Sequence, residues 1–490
     1  MGESAAAASA DGDASDSSAV NGSSDTGLIV IVPDGDIILD VTFQTSQEVL
    51  RKARKAAAAG ARKTPSHAVQ KDKAKPLTQV AYRVNLDVLK RKSKFFENLL
   101  GNPQFREAQI ISMAFGALSS SGRTPKQADP GALPHISILD EDDATKAASR
   151  ENAFEDMLRL IHGLPLRPQS TPSLSYITTI AITADRFDCA AAVSKTLPGE
   201  AKLRWPSQTK PGRSIDIEQA LRQKILVAWL LGHPMRLQAS TRELILRGSN
   251  FWSAFREEDQ ESTAAWCNLP DGLESILNPD PVFILYAYSL LTRFLGELQF
   301  RRECVLNTIA SVQKHFLKLY SSRERQCKLG YDSSAACDSF QLGQMLKFLV
   351  SKNLASLVDF GPASLDAIPD SSTLDTEELI TTLKQCPNYQ IDKFHTNCGL
   401  RIRIEPILDY IRAMLSANVI SISLHDWRKN RDAVSWVTAR EMADPDDLPK
   451  FLFTRAMAND ERMRYEGPLF VDKAAKALFT AESWDWTPEF

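Results

Sequence analysis

Long hydrophobic runs are missing from this 490-residue chain. The best apolar stretch, Val282–Ser289 extended by Leu290 and Leu291, stops at Arg293. A membrane helix needs roughly 18–20 apolar residues, so no membrane span is expected. Positive charge is missing from the first part of the sequence, where no Lys or Arg precedes Arg51. A secretory signal starts with positive charge, so none is expected. Cysteine is scarce and odd in number, seven in all. That argues against a disulfide scaffold and for a reducing compartment, the cytoplasm and/or the nucleus. Excess basic charge is missing as well: 58 Lys and Arg face 61 Asp and Glu, a net −3. Bulk attraction to nucleic acid is therefore not expected. Signatures of catalysis are also missing. There is no Gly-x-Gly-x-x-Gly, Walker loop, Gly-x-Ser-x-Gly or His-Glu-x-x-His, and the expectation is a protein that is not an enzyme. No internal repeat of fixed period is present.

What is present is globular. Hydrophobic residues make up 43% and charged residues 24%, enough to bury a core in two to four domains of roughly 100–200 residues each. Charge is placed unevenly. Residues 1–50 hold nine acids and no base, whereas residues 51–75 hold nine bases and one acid. Residues 1–27, rich in Ala, Ser, Asp and Gly, read as a disordered acidic tail. Residues 44–77 read as a flexible basic insertion whose Arg51-Lys52-Ala53-Arg54-Lys55 core suits nuclear import, a nucleic-acid patch or simply a solvated loop. Residues 111–134, broken by Gly122, Pro125, Pro130 and Pro134, read as a second loop.

Between these segments, Leu28–Val32, Ile37–Phe43, Val80–Leu86 and His135–Leu139 read as strands. Val88, Leu89, Phe95, Phe96, Leu99 and Leu100 fall at helical spacing, as do Phe154, Met157, Leu158 and Ile161, and then the segment Tyr176–Asp188. Asp140–Asp143 reads as a solvated turn. His162 is expected to cap or hydrogen-bond, and Cys189 to be core. Residues 201–216, with Pro206, Pro211 and Gly212, read as a linker. From 217 to 420 the pattern is helical, with stripes at 217–230, 283–320, 340–348, 377–383 and 406–414. Residues 421–490 read as an extension, either a folded cap or a mobile arm, with Trp484-Asp485-Trp486 packed or frayed.

Several of these segments carry a resemblance. Pro33-Asp34-Gly35-Asp36-Ile37-Ile38-Leu39, then VNLDVLKRKSKFFENLLGNPQFREA (84–108), FEDMLRLIHGLPL (154–166) and IAITADRFDCAAAV (180–193) resemble the BTB/POZ domain of a large family of filamentous-fungal proteins. The run Val88-Leu89-x-x-x-Ser93-x-Phe95-Phe96 is its most specific piece. The family's usual His at the start of that helix is replaced by Asn85. IEQALRQKILVAWLLGH (217–233), CKLGYDSSAACDSFQLG (327–343) and CPNYQIDKFHTNCGLRIRIEPILDYI (386–411) resemble the helical half of the same proteins. The resemblance implies an α+β chain: a BTB/POZ-like α/β domain at 28–200, with a small sheet on helical hairpins, followed by a mainly α-helical domain. It implies protein–protein association, with a homodimer among the outcomes, and no catalytic residues. In some BTB families a hydrophobic-x-Glu motif docks a cullin-type ubiquitin-ligase scaffold, and Phe105-Arg106-Glu107 stands at that place. The expected function is thus an adaptor. The alternatives are a dimerising nuclear scaffold and an enzyme with an unrecognised site in the helical half.

That last alternative centres on cysteine. Four of the seven cysteines, Cys327, Cys337, Cys386 and Cys398, lie within residues 327–398. His395 precedes Cys398 with two residues between, a spacing from which two ligands reach one ion. A structural zinc site from Cys327, Cys337, Cys386 and Cys398 or His395 is one reading. Such sites supply about 10–16 kcal/mol in isolated zinc peptides. Buried free thiols and a disulfide are the others.

Overall fold

The computed structural model describes residues 27–61, 75–141, 144–167, 172–197, 214–248, 264–267, 269, 273, 296–358, 375–444, 448–458, 460 and 467–487. Across them the chain is a mixed α+β protein, mostly helical. Residues 1–26 of the expected acidic tail, 62–74 of the expected basic insertion and 201–213 of the expected linker lie outside the described residues.

Period-2 patterning sets the sheet. In β2 (Ile37–Gln44) the residues Ile37, Leu39, Val41 and Phe43 point to one core. β2 pairs antiparallel with β3 (Leu77–Val84), Ile37 opposite Val84 and Gln44 opposite Leu77. β1 (Leu28–Val30) runs parallel to β3, and β4 (His135–Asp140) parallel to β2, giving the order β1-β3-β2-β4. The main core face is covered by helices α5 (Arg150–Ile161) and α6 (Leu174–Arg186). Its centre is aromatic. Phe154 lies edge-on to Phe43 at 5.7 Å and to Phe187 at 5.2 Å, and Phe187 stacks on Phe96 at 5.6 Å. Such pairs add about 0.5–1.5 kcal/mol each beyond the area they bury.

Both expected insertions contain structure. Residues Gln47–Ala61 form helix α1. Alanine has the highest helix propensity, a Glu48–Lys52 ion pair spans one turn at 2.5 Å, and Val49 and Leu50 are buried. The second segment begins inside helix α4 (Arg106–Ser120). Ile111, Phe115 and Leu118 recur at i, i+4 and i+7, and that stripe carries the helix to Ser120, just ahead of the breakers Gly122 and Pro125. Leu118, Ala128 and Leu133 then pack against Ile38 and Ala81 on the back of the sheet. Asp140 is not a solvated turn residue either. It is buried, held by Arg150 Nε at 2.8 Å and by Arg186 Nη1 at 2.5 Å. Asp142 and Asp143 lie outside the described residues.

Helix α8 (Ser214–Leu230) starts within the expected linker and ties the two halves together. It is hydrophobic on several sides, as a helix between two cores must be. Leu221, Ile225 and Trp229 face the helical core, whereas Val227 and the following Leu231 join the sheet core. Gly232, at φ +66°, ends it before α9 (Pro234–Arg247). The long helix α10 (Glu297–Ser321), α11 (Ser334–Ser351), α12 (Thr376–Lys384) and α13 (Leu400–Met414) follow. The part of the expected stripe at 283–295 lies outside the described residues.

The boundary drawn at 420 is not a boundary of packing. Trp427, Trp436, Phe451, Phe453, Phe479 and Trp486 belong to the same core as α10. A parallel pair, β5 (Lys450–Leu452) and β6 (Ser483–Asp485), closes this end beside helix α18 (Pro468–Phe479). Trp486 is fully buried, and its indole N–H donates to Ser311 Oγ at 2.8 Å. Trp436 is fixed by charge. Glu297 accepts from the Trp436 backbone N–H at 2.8 Å and from Ser435 Oγ at 2.8 Å. Arg301 pairs with Glu297 at 2.7 Å, lies over the Trp436 ring at 4.9 Å and donates to the carbonyls of Val419, Ser421 and Val434. No described helix is long and apolar enough to cross a membrane.

Candidate functional site

The first candidate lies between α3 (Lys94–Gly101) and α4. Ser93 caps α3, accepting from the Phe96 N–H at 3.1 Å, and donates its hydroxyl to the Phe187 carbonyl at 2.6 Å. This fixes the α3 start against the end of α6. Beyond Gly101 an Asx turn follows, the Gln104 N–H donating to Asn102 Oδ1 at 3.0 Å. It delivers Phe105 to the N-cap of α4, a position normally taken by a polar side chain. Phe105 makes no capping bond and is 43% exposed. Glu107 is half-buried in the first helical turn. One and two turns on, Gln109 and Met113 are also exposed, Met113 at 68%. Phe105 is therefore a surface residue at the head of a partly apolar strip. Asn85, standing where the resembling family has His, does a cap's work: its Oδ1 accepts from the Val88 N–H at 3.1 Å.

His162 and Cys189 are structural. His162 accepts from the Asn85 N–H at Nε2 (3.2 Å) and lies 2.8 Å from the Leu158 carbonyl at Nδ1. Burial lowers its pKa below 6.5. Burial pushes the Cys189 thiol up to about 12, which makes it a poor nucleophile.

The second candidate is the cysteine region. Cys327 sits in the turn after α10, Cys337 in the first turn of α11, and His395 and Cys398 in the loop before α13. The ligand atoms of Cys327, Cys337 and His395 all lie within 4.8 Å of one another. The Cys398 sulfur is 3.7 Å from that of Cys327, and the Cys337 thiol interacts with both. Cys386 does not join them. It packs in the helical core and turns its sulfur toward the Pro387 carbonyl, 3.8 Å away. Burial pushes its thiol up to about 11. Of the five residues read as candidate ligands, Cys327, Cys337 and His395 gather, Cys398 adjoins them through Cys327, and Cys386 stays apart.

Polar side chains shape this cluster. Asp338 accepts from the backbone N–H groups of Gln326 (2.7 Å) and Cys327 (3.1 Å), pinning one loop to α11. Gln341, fully buried, pins the other: it donates to the Tyr389 carbonyl at 2.8 Å and accepts from the Leu400 N–H at 3.3 Å. Gly399 passes so close to Asn388 that a Cβ there would collide with its side chain. Gly330, at φ +78°, completes the Cys327-Lys328-Leu329-Gly330 turn. That turn brings the Leu329 N–H onto the Cys327 sulfur, and the Ser334 side chain bonds it too. Burial raises the Cys327 pKa, but these bonds outweigh it and bring the thiol below its ordinary value. His395 is fully buried, with Nδ1 2.7 Å from Asp392 Oδ1 and Nε2 on the cluster side, 3.3 Å from Ser334 Oγ. The bonds from His395 and Ser333 hold Asp392 down to about 2. Asp392, Asp338 and Ser334 were missed as site residues. The Asp392-x-x-His395 spacing, an Asx turn with Phe394 N–H donating to Asp392 at 2.8 Å, was the available signal.

Compared with family models, with curated proteins and with solved structures, the chain finds no match in any of the three.

Proposed function

We propose that this chain is a non-enzymatic interaction protein, in which a BTB/POZ-like N-terminal domain docks a protein partner through the Phe105 face. In its first version the partner is a cullin-type ubiquitin-ligase scaffold, and the helical half holds a substrate. A small four-stranded sheet backed by helices supports this reading. The observation that carries it is the exposure of Phe105 at a helix start, with Glu107 and Met113 beside it. An exposed aromatic with a charged rim has the composition of an interface hot spot, and such anchors carry about 2 kcal/mol or more. The experiment is affinity capture from native extract with wild type and with Phe105→Ala/Glu107→Ala. A cullin-type scaffold should be recovered with wild type and lost with the double variant. Its absence from both samples sinks the ligase version.

A second version, a dimerising nuclear scaffold, is favoured by strand β1. It forms one edge of the sheet and exposes Leu28 and Val30, 38% and 48% accessible. Exposed edge strands are templates for pairing with another chain. The solution mass of the full chain separates the versions. A monomer at all concentrations rules out dimerisation.

A further inference from the structure

We infer that Cys327, Cys337, Cys398 and His395 form a closed, structural zinc site that locks two loops onto the start of α11. The ligand atoms of Cys327, Cys337 and His395 lie within 4.8 Å of one another, and the Cys398 sulfur adjoins them 3.7 Å from that of Cys327, so that three separate stretches of chain meet here. Two sulfurs bound at about 2.3 Å to a tetrahedral zinc lie about 3.8 Å apart. The Cys327–Cys398 separation is 3.7 Å. A disulfide would bring the sulfurs to about 2.05 Å, and none joins the described cysteines.

The surroundings fit the same ion. A ligating imidazole commonly donates its second nitrogen to a carboxylate, which fixes the tautomer and aims the other nitrogen at the metal. Asp392 occupies that place on His395 Nδ1, and Nε2 faces the cluster. Three thiolates and one zinc leave a net −1, and the Arg403 guanidinium acts on the Cys398 side. Soft sulfur ligands with one imidazole in a four-ligand set select zinc over magnesium or calcium. Because the chain fills all four positions, no place is left for the bound water that a catalytic zinc keeps. The site therefore holds structure: it closes Cys327 onto Cys337 across nine residues and brings in His395 and Cys398 from beyond α12. It is independent of the Phe105 face.

The full chain, purified under reducing conditions without chelator, should contain one zinc per molecule. Cys327→Ser, Cys337→Ser, Cys398→Ser and His395→Gln should each lower zinc affinity at least tenfold, whereas Cys386→Ser should keep wild-type affinity. Asp392→Asn, which leaves all four ligands in place, should weaken binding roughly 10–100-fold in a chelator competition. Since ligand variants can fail to fold, cobalt substitution of wild type gives a second readout. Visible bands of tetrahedral cobalt with sulfur charge transfer are expected. Zinc absent from reduced, zinc-supplemented wild type overturns the inference. So does a six-coordinate cobalt spectrum, loss of zinc on Cys386→Ser with retention on Cys398→Ser, or a Cys327–Cys398 disulfide found by mass spectrometry in the reduced protein.

Discussion

The sheet core and the helical core are held together differently. Around the sheet, apolar side chains recur every second residue along β2 and β4 and meet the rings of Phe96 in α3, Phe154 in α5 and Phe187 just after α6. In the helical half, the regular stripes of α10 and α13 build the centre, but the margins hang on single long-range anchors. Arg301 bonds backbone from residues 419 to 434, Arg242 reaches the Ala417 carbonyl at 3.1 Å, and Arg428 reaches the Trp229 carbonyl at 3.1 Å. The lesson is that periodic burial positions elements, whereas buried charge positions the irregular chain between them. Irregular backbone has no ladder to satisfy its carbonyls, so arginine forks do it instead.

Breaking each kind of anchor separates the two mechanisms. Phe154→Ala removes the centre of the aromatic cluster and should cost about 3–5 kcal/mol of stability. Glu297→Ala leaves Arg301 buried without its carboxylate, and breaking a buried pair this way costs about 3–5 kcal/mol. Denaturant unfolding of the full chain measures both. The contrast lies in what the charges serve. Removing both together, as Glu297→Leu/Arg301→Met, should recover little of the loss, since the carbonyls of Val419, Ser421 and Val434 are then left without their donor. A double charge variant much more stable than Glu297→Ala would show that Arg301 matters for neutralising Glu297 rather than for its bonds to backbone.

The sheet region should also respond to acid through His162. Its folded pKa lies below the ordinary 6.5 because burial disfavours the charged ring. The unfolded chain therefore takes up the proton first. His162 supports stability above about 6.5 and withdraws that support as pH falls toward the lowered folded value. The denaturation midpoint should fall between about pH 8 and about pH 5, and His162→Gln should flatten that slope. An unchanged slope would mean the ring titrates as freely folded as unfolded. The smallest effect is expected at Phe105, where Ala should shift stability by only about 0.5 kcal/mol or less, as for other surface positions. A much larger loss would place Phe105 in the core and remove the basis for docking.

These contrasts explain what was legible in the sequence. Ile37–Phe43 and Phe154–Ile161 announced themselves because every second, or every third to fourth, residue is apolar. The convergence of Cys327, Cys337, His395 and Cys398 was partly legible, because cysteine density and the His-x-x-Cys spacing are local features. The exclusion of Cys386 was not, since it depends on the thiol packing into the helical core. Helix α1 was hidden by charge: alanine and lysine serve a solvated loop and an exposed helix alike. Asp140 was hidden among acids, because its partners Arg150 and Arg186 lie 10 and 46 residues on. Trp436 and Trp486 were hidden by isolation. A single aromatic that inserts into a distant core leaves no period to read.

The association reading turns on one face, and direct titration tests it without the ambiguity of an extract. The purified full chain would be titrated with a purified cullin-type scaffold, wild type beside Phe105→Ala, with thermal melting of both chains as the folding control. The account predicts saturable binding by wild type and at least tenfold weaker binding by the variant, with superimposable melting curves. Binding by neither chain, or equal binding by both, contradicts it.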